Sequence, residues 1–397
     1  MLYIADGYDP LQDFCAVAPL LAVAAASLSG LLAAIVASYI LWGNALSPSA
    51  LVLHGVIFAL LLCLWRYSFS VLLFNPAFFR RTMIVGAGGA GRRMVQVIRD
   101  YPRSGLLPVG FVDDDPGKVG TVVNGLPVWG PSSRLPELIR REQVTLIIVA
   151  ITHQKETDLL NQLIKSCWQG CTVTDMPTIF EAITGKVPTS HISSEWLYQW
   201  NVNASRLYYR HLKRVFDLVL ASCCFLATLP LFLLIALAIK LESPGPVFFY
   251  QERLGQDHRP FRIIKFRTMF QGNGEEGPIW TEKDDARLTR VGRFIRRVRL
   301  DELPQFLNIF RGDMSFIGPR PLVHSDYKES VPYYNYRFLV RPGITGWAQV
   351  SFPHGLAEED LLEKVKYDIY YIKNLSFLLD VAIFLKTIRV VLLGQGH

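Results

Sequence analysis

A chain of 397 residues is more than one hydrophobic core usually organises, so two or three folding units are expected, and a coiled coil or a disordered chain is excluded. Hydrophobic residues make up 51%, charged residues only 19%, and the mean hydropathy is +0.25, a balance that points to membrane contact. The net charge of +7 favours anionic partners, and six cysteines without zinc or redox-pair spacing read as apolar filler rather than a disulfide framework.

Phe14 to Trp65 contains no Lys, Arg, Asp or Glu, long enough for two crossings of a bilayer at about 20 residues each. Breakers at Gly43-Asn44 and Ser47-Pro48-Ser49 divide it, and Tyr39, Trp42, Trp65 and Tyr67 suit interfacial belts, so residues 1–80 read as a transmembrane helical hairpin. The acidic start (Asp6, Asp9, Asp13) lacks the basic region of a signal peptide. Arg80 and Arg81 after the second crossing place the rest of the chain in the cytoplasm, and Arg66 must then snorkel or the helix must end early.

At Thr82 the pattern becomes that of a soluble α/β protein. A strand, Thr82-Met83-Ile84-Val85, runs into Gly86-Ala87-Gly88-Gly89-Ala90-Gly91 and an amphipathic helix to about Arg99, and further strands fit Val109 to Val112 and Val144 to Ile151. A Rossmann-like, doubly wound α/β domain over residues 81–185 follows. Gly86, Gly88 and Gly91 read two ways: as a cradle for a pyrophosphate, with Asp113 where a ribose-binding acid would sit, or as packing glycines in a domain without a cofactor. Neither Tyr101 nor Tyr198 has a lysine four residues on, which disfavours the hydride chemistry of nucleotide-sugar epimerases.

Residues 186–204 read as a linker. Leu218 to Ile239 is then uncharged, and its 22 residues could make a helix of about 33 Å. Pro230 near its middle, with Thr228 nearby, and basic residues at both ends (Lys213, Arg214, Lys240) favour a re-entrant helix–break–helix over about 215–240 rather than a crossing.

In Phe261 to Met269 strand alternation puts Lys265 and Arg267 on one face, a pair of cations suited to a diphosphate. Asp284 and Asp285 suit the start of a helix bearing Arg287, Arg290, Arg293, Arg296, Arg297 and Arg299, a cationic face that fits solvent or anionic lipid. Nucleic acid is disfavoured, since no stacking or groove-reading motif accompanies these arginines. Pro304 sets Asp301 and Glu302 at a helix irregularity, where a distorted turn could aim both at one phosphate. Beside so many arginines a carboxylate should stay ionised, and the pair reads either as nucleophile and hard-metal ligand or as a surface pair bonded to those arginines. Leu375 to Leu393 reads as an interfacial helix.

Four strings in order, Lys265-Phe266-Arg267-Thr268-Met269, Leu300-Asp301-Glu302-Leu303-Pro304-Gln305, Gly312 to Pro321 and Arg341 to Gln349, resemble the signature of bacterial sugar transferases, the polyprenyl-phosphate hexose-1-phosphate transferases. The match covers residues 205–397, and the whole layout resembles the large monotopic members that begin exopolysaccharide, capsule or O-antigen repeat units. Those members carry four N-terminal crossings where this chain shows two, so either the anchor is reduced or the start is truncated. The resemblance implies an α+β catalytic domain in which Asp301 attacks a UDP-hexose, UMP leaves, and undecaprenyl phosphate takes the sugar phosphate from the aspartyl adduct. It implies Mg²⁺ at Asp301 and Glu302, phosphates held by Lys265, Arg296 and Arg320, and further substrate contacts from Arg267, Arg341 and Gln349. The lipid bilayer is the implied partner surface, at the inner membrane's cytoplasmic face, and a homodimer through the middle domain is compatible with it. Two rivals stay open: a membrane-anchored nucleotide-sugar oxidoreductase or epimerase using the GxGxxG domain, and a non-catalytic scaffold of a polysaccharide export complex.

Overall fold

The computed structural model describes residues 47–73, 75–151, 157–188, 212–270, 287–323, 333–352 and 358–392, with Ser27, Gly30, Leu31 and Ile35 besides. Most of the first arm of the expected hairpin, residues 189–204 of the linker, and Asp284 and Asp285 lie outside the described residues. The chain separates into two compact units, Met1–Tyr198 and Gln199–His397.

In the first unit, helix α1 (Pro48–Leu73) holds an apolar window, Val52–Phe69, long enough to cross a bilayer. Leu53, Leu60, Leu61 and Leu64 on it are exposed, the surface a helix presents to lipid rather than to a protein core. The helix does not end early at Arg66. That side chain is buried within it, its guanidinium carbon 4.9 Å from the Trp65 ring centre.

Beyond α1 come β1 (Arg80–Val85), α2 (Gly89–Asp100), β2 (Leu106–Val112), a small hairpin of β3 (Val122–Val123) and β4 (Leu126–Pro127), α3 (Leu135–Arg141), β5 (Leu146–Val149), α4 (Thr157–Trp168), β6 (Thr172–Asp175) and α5 (Met176–Thr184). Four strands form a parallel sheet in the order β2-β1-β5-β6. Strand alternation sends Ile84, Phe111 and Ile148 to one face, against Met94 of α2 and Phe180 of α5. Met83, Val85 and Ile147 go to the other, against Leu138 of α3 and Leu163 of α4. Burial on both faces explains why these strands read as unbroken apolar runs.

The glycine-rich turn divides by role. Gly86 has φ +105, and a Cβ on Gly91 would stand 2.0 Å from Gly86 O, so these two are demanded by the close approach of α2 to β1. Around Gly88 there is open space. Asp113, at the end of β2, accepts the Ala87 N–H through Oδ2 at 2.8 Å and pairs with Lys118 Nζ at 3.3 Å. Its carboxylate thus ties the turn to β2.

The second unit begins with α6 (Lys213–Glu242), one unbroken helix of 30 residues, about 45 Å long, with Pro230 inside it. This corrects the expected helix–break–helix. The hydroxyl of Thr228 donates to Cys224 O at 2.8 Å, a back-bond that lets the helix bend without ending. Val215, Val219, Leu226, Leu233, Leu237 and Leu241 form an exposed apolar stripe along its whole length. On the opposite side Lys213, Asp217, Ala221, Ile235 and Ile239 are buried in the unit.

There follow the antiparallel pair β7 (Phe248–Leu254) and β8 (Pro260–Phe266), α7 (Arg290–Arg297), a 3₁₀ helix (Leu300–Gln305), α8 (Phe306–Arg311), β9 (Ser315–Ile317), β10 (Gly343–Thr345) parallel to it, α9 (Trp347–Ser351), α10 (Glu358–Lys373) and α11 (Phe377–Leu392). One core joins Ala221, Ile263, Ile309, Met314, Ile317 and Tyr371, and a second joins Ile235 and Ile239 of α6 to Phe266 and Ile295.

The expected interfacial helix near the C-terminus is instead half-embedded. Asp380 of α11 is fully buried, accepting from Lys213 Nζ at 2.7 Å and from the Tyr371 hydroxyl at 2.8 Å. An ionised group inside needs such partners, and they pull α11 onto the core.

Candidate active site

The arginine-rich helix starts later than its sequence suggests. Thr289 caps α7, accepting the Gly292 N–H at 2.8 Å, and the carboxylate at the helix N-terminus comes from Glu242, which accepts from Arg290 N and Val291 N at 2.7 and 3.0 Å. The last residue of α6 therefore fixes the first turn of α7. Arg299 then turns left-handed, with φ +57, and the chain restarts as the 3₁₀ helix that carries Asp301, Glu302 and Pro304.

Three distant segments converge on this turn. Lys265 of β8 meets Glu302 Oε1 at 2.7 Å, and Arg320, beyond β9, lies 3.6 Å from the same oxygen. Arg296, exposed on α7, lies near enough to Asp301 to act on its charge. Asp301 itself is only 8% exposed. Burial and the Glu302 carboxylate push its pKa up to about 6, against the pull of Lys265 and Arg296. Burial also works against ionised Glu302, but Lys265, Arg320 and Arg299 outweigh it and hold that carboxyl well below its usual range. The two acids are thus pushed apart, whereas their sequence neighbourhood suggests that both stay ionised.

Two residues that the sequence does not single out build this geometry. Asn308 of α8, fully buried, accepts the Ile264 N–H at 3.0 Å and donates to Arg262 O at 2.8 Å, standing in for a neighbouring strand beside β8 and so aiming Lys265 at the acids. An asparagine amid Phe306, Leu307, Ile309 and Phe310 is the only local sign of this role. Arg299 follows five other arginines in 13 residues and is indistinguishable from them by type; its left-handed turn is what brings it against Glu302.

Other expected contacts are placed elsewhere. Arg267 lies just past the end of β8, buried, and donates to Ser243 O, Ser243 Oγ and Pro244 O at 2.7 to 2.9 Å. It clamps the end of α6 and does not stand beside Lys265, because strand alternation stops at Phe266. Arg341 lies within electrostatic reach of Arg214. Its own loop packs backbone to backbone on the Gly318 turn, where a Cβ on Gly318 would stand 2.4 Å from Arg341 O. Gly86, Gly88, Gly91 and Asp113 belong to the first unit.

A half-open cavity of about 150 Å³ opens beside the acids. Arg299 and Glu302 form its polar end, while Leu303, Phe306, Phe316, Ile344, Val350 and Val390 wall the remainder. Gln349 shares this wall, its amide Nε2 donating to Ile344 O at 3.0 Å.

Among the described residues no group of three or more side chains could enclose a metal ion by itself. Asp301 and Glu302 are hard oxygen donors of the kind Mg²⁺ takes one or two at a time, leaving the rest of its shell to water and substrate phosphates, so the residues fit a Mg²⁺ completed by the substrate.

Known proteins share both units. A family model described as bacterial sugar transferase matches residues 208–394, and one described as CoA-binding domain matches residues 4–173. The UDP-glucose:undecaprenyl-phosphate glucose-1-phosphate transferase of Escherichia coli (strain K12) is 35% identical over 331 residues, covering 78% of this chain and 68% of its own. The UDP-N-acetylgalactosamine-undecaprenyl-phosphate N-acetylgalactosaminephosphotransferase of Aeromonas hydrophila is 45% identical over 221 residues, 55% of this chain and 52% of its own, so the alignment spans about half the length of that relative. A UDP-glucose:undecaprenyl-phosphate glucose-1-phosphate transferase of Caulobacter vibrioides is 46% identical over 183 residues, covering 44% of this chain and 68% of its own. With the acid pair and its converging cations in the segment so matched, the chain belongs to the bacterial sugar transferase family.

Proposed function

We propose that this protein transfers hexose 1-phosphate from a UDP-hexose to undecaprenyl phosphate and releases UMP, the first membrane step in building an exopolysaccharide, capsule or O-antigen repeat unit. The observation that carries this reading is the meeting of a nearly buried Asp301 with Lys265, Arg296, Arg299 and Arg320, four cations around one carboxylate pair.

An Asp301 carboxylate oxygen attacks the phosphorus that bears the sugar, the bond from that phosphorus to UMP breaks, and a sugar-phosphoryl aspartate forms. An oxygen of the lipid phosphate then attacks the same phosphorus, and Asp301 departs as a carboxylate. Anion attacks anion in both steps, so Lys265, Arg296 and Arg320 lower the barrier by holding phosphate oxygens. Glu302, kept ionised by its cations, sits in the site as a fixed negative partner and disfavours a second charge on Asp301 until the donor brings its counterions. Asp301 and Glu302 would hold a Mg²⁺, which would supply further charge neutralisation.

The lipid acceptor requires a site at the bilayer surface, and α6 supports this. Its N-terminal Lys213 bonds Asp380 and its C-terminal Glu242 bonds the first turn of α7. Both ends are thus held by one module while the exposed leucine stripe enters one leaflet. Arg80 and Arg81 after α1 support a position of this module on the cytoplasmic face of the inner membrane, through the bias of basic residues toward that side.

Radiolabelled UDP-hexoses offered one at a time to membranes containing the protein test the proposal. Asp301→Asn is expected to abolish the lipid-linked product while leaving the protein folded, and wild-type protein is expected to show a sugar-phosphate mass increment on the peptide containing Asp301. Turnover retained by the variant refutes the mechanism.

A further inference from the structure

The cavity beside Glu302 has an occupant written into its walls. One end carries Arg299 and Glu302 within a turn of Asp301; the rest is Leu303, Phe306, Phe316, Ile344, Val350 and Val390. The side chains of Thr345, Gln349 and Thr387 along it are engaged at every polar atom but one. The hydroxyls of Thr345 and Thr387 bond each other at 2.7 Å, Thr387 also donates to Ile383 O at 2.8 Å, and Gln349 donates to Ile344 O. That one atom is Gln349 Oε1, buried and without a hydrogen-bond partner. A hexose or a uracil ring pushed into this space would find that single acceptor for its several donors and acceptors and leave the others unpaired. A hydrocarbon loses nothing. A mostly apolar cavity of about 150 Å³ is large enough for a six-carbon ring, so a branched five-carbon unit fits with its continuation passing out of the open side.

We propose that this slot seats the first isoprenoid unit of the polyprenyl phosphate acceptor, with Arg299 at its polar end facing the phosphate that the unit carries. The inference rests on the transferase reading and adds where the acceptor enters. The acceptor phosphate comes to Asp301 from the slot, while the donor approaches from the side of Lys265 and Arg320. Anchoring begins at the first unit, so short acceptors should bind through the slot as long ones do.

The test uses the full-length protein in vesicles of phosphatidylethanolamine and phosphatidylglycerol. Geranyl phosphate bearing a diazirine on its first isoprenoid unit is photolysed with the protein, and the labelled peptides are mapped. Label on Leu303, Phe306, Val350 or Val390 that unlabelled undecaprenyl phosphate displaces is the expected result. Label confined to the 215–241 stripe of α6, or slot label that undecaprenyl phosphate does not displace, overturns the proposal. In a second arm, Val390→Phe fills the slot from α11. It should raise the acceptor KM roughly tenfold, as losing the burial of about two of the unit's carbons implies, and leave the KM for UDP-hexose in the UMP-release half-reaction within about twofold; an unaltered acceptor KM counts against the slot. If Val390→Phe loses both half-reactions through misfolding, the photolabel on unaltered protein decides. Failure of wild-type protein to release UMP from any UDP-hexose would instead sink the transferase reading, and the photolabel would still report whether the slot takes the lipid.

Discussion

Asp301 shows how a carboxyl group is tuned by what surrounds it. Burial and Glu302 raise its pKa from 3.8 to about 6, so as the pH falls below about 6 the protonated acid, which cannot attack, takes over. At fixed Mg²⁺, the single-turnover rate of UMP release should fall about tenfold per pH unit below that point and level off above it. The two neighbours pull the limb in opposite directions: Glu302→Gln removes a repulsive charge and moves it to lower pH, whereas Lys265→Met removes an attractive one and moves it to higher pH. Stopped-flow or quench-flow profiles of the three proteins check both signs, and a wild-type profile flat down to pH 4 would mean that Asp301 is not the group being titrated. The acid pair was legible in the sequence because Pro304 marks an irregular turn beside it. Its electrostatic asymmetry was not, since burial and the Lys265 contact, 37 residues away in sequence, exist only after folding.

At the scale of elements, buried polar clamps decide which helix lies against which. Lys213 and Asp380 are 167 residues apart, 4% and 0% exposed in their side chains, and 2.7 Å from each other. Removing one partner strands the other charge indoors, which typically costs about 3–5 kcal/mol, whereas replacing both by apolar residues can be nearly neutral. Lys213→Leu strands both Asp380 and the buried Asp217, 3.7 Å from the same Nζ, and should therefore lower the melting temperature of the detergent-solubilised protein markedly, while Lys213→Leu/Asp217→Asn/Asp380→Leu should recover most of the loss. Equal and additive losses would show that the pair is not coupled. No local pattern announces such pairs: Lys213 reads as a flanking cation of an apolar helix and Asp380 as the polar side of an interfacial one. Arg267 is a third instance. Period-two alternation placed it beside Lys265, but the strand ends one residue earlier and the side chain turns to the end of α6.

For the molecule as a whole, the groups assembled around Asp301 come from residues 265–320 of the second unit, and its slot from residues 299–390. A chain of residues 205–397 should consequently form the aspartyl adduct and complete transfer in vesicles, at a rate within about tenfold of the full chain; a folded fragment without UMP release would assign the first unit a part in catalysis. The first unit's sheet and glycine turn were legible because parallel strands buried on both faces leave continuous apolar runs and a helix crossing a strand closely demands glycine. The apolar α6 and the Asp301-Glu302 turn were likewise determined by sequence alone, each being a local signal of hydropathy or breaker. Tertiary structure decided the rest: that α6 is a single helix held at both ends, that Arg299 and Asn308 stand against the acid pair and β8 while Arg267 turns to the end of α6, and that the wall beside Glu302 is mostly apolar. Those outcomes depend on contacts between segments tens to hundreds of residues apart, and the free energy of such contacts is set by burial and geometry that no window of sequence contains.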